Sequence, residues 1–192
     1  SEGGYSEYTR KLYAREHGGA TVPESHDDPD FLRWKAQKLT DFAKKVYDTV
    51  KAIDPELIVC WSPSIYPWSY EHYLQDWPSW IEEGAAEVVH PQCYRYDLKS
   101  YKNVIDDLKA LHFGNFQHIY PGLLMNVGDY LIDPDFLLDA IHYHRKNGFQ
   151  GEVFFFYEGL RKNNDKLARR LSESFYLNEA ELPFKVRFEK AY

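Results

Sequence analysis

Three carboxyl side chains stand directly behind apolar runs of the sequence, where a folded chain can position them for proton transfer. Glu158 directly follows the run 152–157, and Asp97 and Asp129 follow two earlier runs. Paired carboxyls act as general acid and as base or nucleophile in many hydrolytic reactions. Glu158 is the strongest candidate, because partial burial at the end of an apolar strand would raise its pKa and suit a proton donor. The structural alternatives are a solvated or capping Glu158, a helix cap at Asp97 and a plain surface loop around Asp129.

Polar and aromatic side chains gather behind the same runs. Gln92 and Tyr94 share parity with His90, so all three face one side of an extended strand. On an inner face, Gln92 and Tyr94 either hydrogen-bond a ligand hydroxyl or form a satisfied polar pair, whereas His90 lies deeper and is expected to be structural. The further binding candidates are Trp61, Ser62, Trp68, Asn126 and Tyr157.

The segment 61–77 is unusually aromatic. Its rings suit the flat C–H faces of a ligand such as a sugar, but aromatic rings also dominate protein cores and interfaces. Both interpretations stay open for this segment. Its aromatic members are Trp61, Tyr66, Trp68, Tyr70, Tyr73 and Trp77.

Four short runs rich in β-branched and aromatic residues predict the strands that must position these side chains. They begin about 30 residues apart, and each is followed by a segment able to form a helix. Strands and helices that alternate at this spacing indicate βα units and a parallel sheet. The four runs are 57–62, 87–94, 118–124 and 152–157.

The intervening segments carry helix boundaries. Asp28 and Asp133 each precede a proline, an arrangement typical of an N-cap followed by the first helical residue. The apolar stripes that follow, with Phe42 and Ile53 expected among the inward residues of the first, end near Asp54 and Asn147. Further helices are expected at 78–83, at 98–111 with an end near Gly114, and at about 164–175.

Four βα units are half of an eight-stranded barrel, which takes about 250 residues. We therefore expect an α/β fold over residues 28–184 that forms half of a TIM (β/α)8 barrel. Residues 1–27 are expected to be a loop after a missing strand, and 185–192 a tail. The structural alternative is a small open sheet of four parallel strands. Unpaired outer strands invite pairing, so we expect self-association or a missing N-terminal half that completes the barrel.

Composition narrows the classes of protein. The 192-residue chain has a formal net charge of −7, which argues against nucleic acid as the main partner. No run approaches the roughly 20 apolar residues of a membrane span. His142 and His144 point to different faces of a helix, and no metal or phosphate motif occurs, so we expect no metal and no cofactor. Cys60 and Cys93 would lie on neighbouring strands as two buried thiols, with a disulfide as the alternative.

Residues 88–94 read Val-Val-His-Pro-Gln-Cys-Tyr and follow Trp-Ile-Glu-Glu-Gly at 80–84. This block resembles the Trp-Leu-x-x-Gly and Pro-Gln-x-Tyr motifs of the glycoside-hydrolase-like family related to glycoside hydrolase family 10. Cys60 departs from that family, which has Gly at this place. Weaker similarities, in the family's order, occur at 30–35, 46–55, 59–63, 151–160 and 167–183, so that the resemblance spans roughly residues 28–184.

The resemblance implies that the chain is the C-terminal half (strands five to eight) of a TIM (β/α)8 barrel. It also implies a carbohydrate-active enzyme that is exported from a bacterial cell, often as a lipoprotein. We expect a glycoside hydrolase that acts on a poly- or oligosaccharide with two carboxyls. Glu158 is its candidate proton donor, and the second carboxyl comes from Asp97, Asp129 or the missing half. The alternative is a glycan-binding or assembly half-module without turnover.

Overall fold

The computed structural model describes residues 1–111 and 116–179. Helices and short strands alternate along the chain, and no helix of the described part is both long and apolar enough to cross a membrane. The elements are α1 (Glu7–Glu16), α2 (Pro29–Ile53), β1 (Cys60–Trp61), α3 (Trp68–Tyr73), α4 (Trp77–Glu82), β2 (Val88–Val89), α5 (Leu98–Ala110), a 3₁₀ turn (Phe116–His118), β3 (Gly122–Leu124), β4 (Asn126–Val127), β5 (Tyr130–Leu131), α6 (Pro134–Lys146), β6 (Val153–Phe155) and α7 (Glu158–Ser172).

The four expected strand regions are parallel neighbours in chain order. β1 pairs in parallel with β2, and β3 pairs in parallel with β6. A parallel bridge between Val89 and Ile119 joins the two pairs. Farther along, the Gly122 N–H donates to the Pro91 carbonyl at 2.8 Å. The chain therefore has the α/β organisation that the alternating sequence pattern predicts.

Helices cover one face of these strands. Val89, Cys93, Leu123 and Met125 point to this face, where they are buried in the main core. Burial of this apolar surface is the principal stabilising contribution to the fold. The helical residues packed into the same core include Tyr101, Val104, Ile105 and Leu108 of α5 and Leu137, Ala140 and Ile141 of α6.

On the opposite face, the outer strands β1 and β6 are open within the described part of the chain. Cys60, Ser62, Val153 and Phe155 are exposed there. Parallel sheets are normally buried on both faces, since each crossover places a helix against the strands. This open face is therefore a surface suited to a further layer of structure.

The helix boundaries follow the sequence signals. The Asp28 carboxylate accepts hydrogen bonds from two N–H groups in the first turn of α2, and Asp133 does the same for α6. Both helices also end where expected, at Ile53 and Lys146. These caps satisfy N–H groups that have no partner inside the helix.

The amino-terminal region differs from the prediction, because residues 7–16 form α1 rather than a loop. Ser6 caps α1 by accepting from the Thr9 N–H at 3.2 Å. Tyr13 is the one buried residue of α1, and its ring packs edge-on against Phe31 and Trp34 of α2. A helix with so narrow an apolar face gives almost no periodic signal in the sequence.

Several smaller expectations were wrong. His118 ends a 3₁₀ turn, so the third strand starts later than predicted. In α2, Phe42 and Ile53 are exposed rather than inward. Cys93 is buried but Cys60 is exposed, and both are free thiols, so neither the disulfide nor a buried pair is found. The expected helix end near Gly114 and the tail 185–192 lie outside the described residues.

A buried polar cluster fastens the amino end of β6. The fully buried carboxylate of Glu152 lies 2.7 Å from His144 Nε2 and accepts from Arg145 Nη2 at 2.6 Å and from the Tyr176 hydroxyl. The Tyr101 hydroxyl lies 2.9 Å from the other ring nitrogen of His144. Burial alone raises the pKa of Glu152, but the three hydrogen bonds outweigh it and lower this pKa to about 2. The cluster joins α5, α6, β6 and the segment after α7.

We predict that Glu152→Gln lowers the free energy of unfolding by about 3 kcal/mol at pH 7, because an amide cannot replace a buried carboxylate that faces Arg145. The folded pKa lies below the ordinary value of 4.5, so this stability is present above pH 4.5 and is lost as the pH falls towards 2. Urea unfolding of both proteins between pH 7 and pH 3 measures the difference.

The matched control is Glu82→Gln, since Glu82 is exposed at the end of α4. It is expected to change stability by no more than about 0.5 kcal/mol. A difference between wild type and Glu152→Gln that stays constant over the whole pH range would contradict the assigned pKa.

Candidate functional site

A cleft opens where β1 and β2 end. Parallel pairing brings the carboxyl ends of neighbouring strands to one edge, which is where α/β proteins place their ligands. The cleft encloses about 310 Å³. It is lined by Ser64, Ile65, Trp68, Gln92, Tyr94 and Arg95. Gln92, Tyr94 and Trp68, three of the predicted binding residues, are thereby brought together.

Gln92 and Tyr94 are held by their neighbours on the strands. The Gln92 Nε2 group donates to the Ser62 carbonyl at 2.8 Å, which fixes the direction of the amide. The Tyr94 ring stacks on Phe155 with ring centroids 5.4 Å apart. This stack crosses Gly122, where a Cβ would lie 3.3 Å from the Tyr94 ring. Burial raises the pKa of Tyr94, so its hydroxyl stays protonated and can donate a hydrogen bond.

The aromatic segment 61–77 divides into a packed part and an exposed part. Trp77 is fully buried, and Tyr66 packs edge-on against it. Trp68 is 41% exposed at the cleft, and Tyr73 supports it edge-on with ring centroids 4.7 Å apart. Trp68 is therefore the residue of this segment that presents a ring to the cleft.

Trp61 corrects one prediction. Its ring packs against Trp80 with centroids 5.5 Å apart, and its Nε1 group donates to the Ala85 carbonyl at 3.0 Å. Trp61 thus belongs to the helix-covered face, because it lies one position out of phase with the open-face residues Cys60 and Ser62.

The remaining predicted binding residues lie apart from the lining of the cleft. Asn126 is buried and donates through Nδ2 to the Tyr130 carbonyl, so it holds the β4–β5 hairpin rather than a ligand. Ser62 is exposed, and its hydroxyl donates to the His90 carbonyl at 3.1 Å. Tyr157 is exposed at the end of the β6 segment.

Asp97 is a helix cap. Its carboxylate accepts from the Ser100 N–H and from the Ser100 hydroxyl, both at 2.8 Å. These two hydrogen bonds lower the pKa of Asp97. A carboxyl with a lowered pKa is a poor proton donor, so the geometry favours the capping interpretation over the catalytic one.

Glu158 and Asp129 are both exposed. Glu158 is the first residue of α7 and comes three positions after the end of β6, so the partial burial expected for it is not found. It nevertheless stands at the carboxyl edge of the strands. Asp129 lies in the turn that joins β4 to β5. Neither residue lines the cleft.

Arg95 is the charged lining residue that the sequence analysis did not predict. It directly follows Tyr94, and its guanidinium donates to the Tyr94 carbonyl at 2.7 Å. The signal was present, because the residue one position past a strand end lies at the same edge as the strand's last side chains. The predicted site residues are carboxyl, neutral polar and aromatic groups, so they do not include this cation.

The chain belongs to the family Glycosyl hydrolase-like 10, whose family model matches residues 1–134. The match contains every residue that lines the cleft and also residues 1–27, which the resemblance had left out. Residues 135–192, with Glu158, lie beyond it. A search of the curated proteins finds no match. Within the described residues, no group of three or more His, Cys, Asp and Glu side chains is placed to hold a metal ion.

We predict that Asp97→Ala lowers the urea midpoint of unfolding, because the first turn of α5 loses its cap. Asp97→Asn keeps a capping oxygen and is the matched control, expected to stay near wild type. Urea unfolding followed by circular dichroism measures the midpoints of both variants. A midpoint of Asp97→Ala equal to that of wild type would contradict the capping role.

Proposed function

We propose that this chain forms part of a glycoside hydrolase that acts on a poly- or oligosaccharide by carboxyl acid/base catalysis. The observation that carries the proposal is the cleft at the carboxyl edge of parallel strands, in a member of a glycosyl-hydrolase-like family. Trp68 supplies an exposed ring for the apolar face of a sugar, and Gln92 and Tyr94 supply hydrogen bonds for its hydroxyls.

Glu158 is the proposed proton donor. It follows the last parallel strand, at the edge where βα proteins carry their catalytic groups. A second carboxyl within about 10 Å is needed for either stereochemical outcome. Asp97 is committed to capping α5, so this group comes from Asp129 or from the residues that complete the barrel.

The first test is Glu158→Gln, which keeps the shape of the side chain but removes its proton. We expect the rate of oligosaccharide hydrolysis to fall at least about 100-fold. Binding of the oligosaccharide should stay unchanged, since Glu158 does not line the cleft. Release of reducing ends and calorimetric titration measure the two quantities.

Glu173→Gln at the far end of α7 is the matched control, with no change expected in either quantity. Unchanged hydrolysis in Glu158→Gln would remove Glu158 from the mechanism. Binding without any hydrolysis by the wild-type chain would favour the alternative function, a glycan-binding or assembly half-module.

We further propose that the four parallel strands are the C-terminal half of a TIM barrel. Their order along the sheet follows the chain, as in a barrel. The open face would then be the barrel interior. Within the described residues, β1 has no partner on the side away from β2, and β6 has none away from β3. Such edges pair readily with another strand.

We therefore expect the isolated chain to self-associate, with a mass near twice 22.7 kDa by light scattering after gel filtration. Val153→Lys places a charge on the open face beside the free edge and should shift the mass towards 22.7 kDa. Phe42→Lys, at an exposed position on α2, is the control. A monomeric wild type would contradict closure by a second copy.

A further inference from the structure

The cleft carries a positive charge in a chain that is negative overall. Of its six lining residues only Arg95 is ionised, whereas the whole chain has a formal net charge of −7. A single cation in a concave site attracts anions to that site. The positive charge of the cleft therefore favours a ligand that carries a negative charge.

The Arg95 guanidinium makes a local contact with its own strand. It is half-buried and donates to the carbonyl of the preceding residue, Tyr94. Within the described residues, no carboxylate oxygen comes within 4.0 Å of it. Arg145 shows the contrast, because two of its nitrogens contact the carboxylate of Glu152. Arg95 keeps a planar set of N–H donors directed at no protein anion.

We propose that the cleft binds a sugar unit that carries a carboxylate, with Arg95 as the residue that recognises it. This inference rests on the proposed carbohydrate function and narrows its substrate to acidic glycans. The guanidinium fork matches a carboxylate in a two-point hydrogen bond. Trp68 faces the ring of the same sugar, and the Tyr94 hydroxyl donates to one of its oxygens.

One negative charge fits this cleft better than a phosphate does. Arg95 is the one cation among the lining residues, and at the nearby start of α5 the Asp97 carboxylate already occupies the Ser100 N–H. A volume of about 310 Å³ lies at the small end of ligand sites, which suits one or two sugar units.

The test compares oligosaccharides that carry either a carboxylate or an uncharged group at the same carbon. Calorimetric titrations use three matched pairs: oligogalacturonate and its methyl ester, cellouronate and cello-oligosaccharide, and oligomannuronate and β-1,4-manno-oligosaccharide. We expect the wild-type chain to bind the acidic member of at least one pair about tenfold tighter, a preference that weakens as salt is added.

Variants separate the charge from the ring. Arg95→Gln should abolish the preference for the acidic sugar, whereas Arg95→Lys keeps the charge without the fork and should retain only part of the preference. Trp68→Ala should weaken both members of a pair equally. Arg15→Gln, at an exposed position on α1, is the control, and circular dichroism verifies that each variant folds.

Each outcome decides the inference. Equal binding of acidic and neutral members, or a preference that survives in Arg95→Gln, overturns the role of Arg95 and leaves the carbohydrate function in place. Absence of binding to all six sugars overturns the inference and the proposed function together.

Discussion

The parallel pairing of the strands is the constraint on which the rest of the structure depends. Because all four strand regions run the same way, their carboxyl ends meet at one edge. Side chains as far apart in sequence as Ser64 and Tyr94 then line one cleft. Helices follow from the same constraint, since each parallel connection must cross over, and the helix it contains buries one face of the strands.

The two ends of the strands have different tasks. At the amino end of β6, the buried Glu152 carboxylate is hydrogen-bonded to His144, Arg145 and Tyr176, which ties that end to α6 and to the segment after α7. At the carboxyl edge, Arg95 donates only to the neighbouring Tyr94 carbonyl among the hydrogen bonds of the described residues, and Trp68 is exposed at the cleft. A fixed base that supports an adaptable edge is the usual division of stability and function in βα proteins.

Sequence reasoning found the features that depend on local chemistry. Asp28 and Asp133 mark the first turns of α2 and α6 as N-caps. The position of Gln92 and Tyr94 at the cleft follows from strand parity. It failed where tertiary contacts decide. Tyr13 is the one buried residue of α1, and Trp61 packs against Trp80 and donates to Ala85, both distant in sequence. Arg95 is a different case. Its position at a strand end follows from the sequence, but the predicted site residues were carboxyl, neutral polar and aromatic groups and included no cation.

The two cysteines place different chemistry on the two faces of the strands. Burial raises the pKa of the Cys93 thiol to about 12, so it stays protonated and inert inside the core. Cys60 is exposed on the open face. In the folded chain, a thiol-directed reagent therefore has a single point of attachment, and that point lies on the uncovered face. A spectroscopic label on Cys60 would therefore report on any structure that covers the open face.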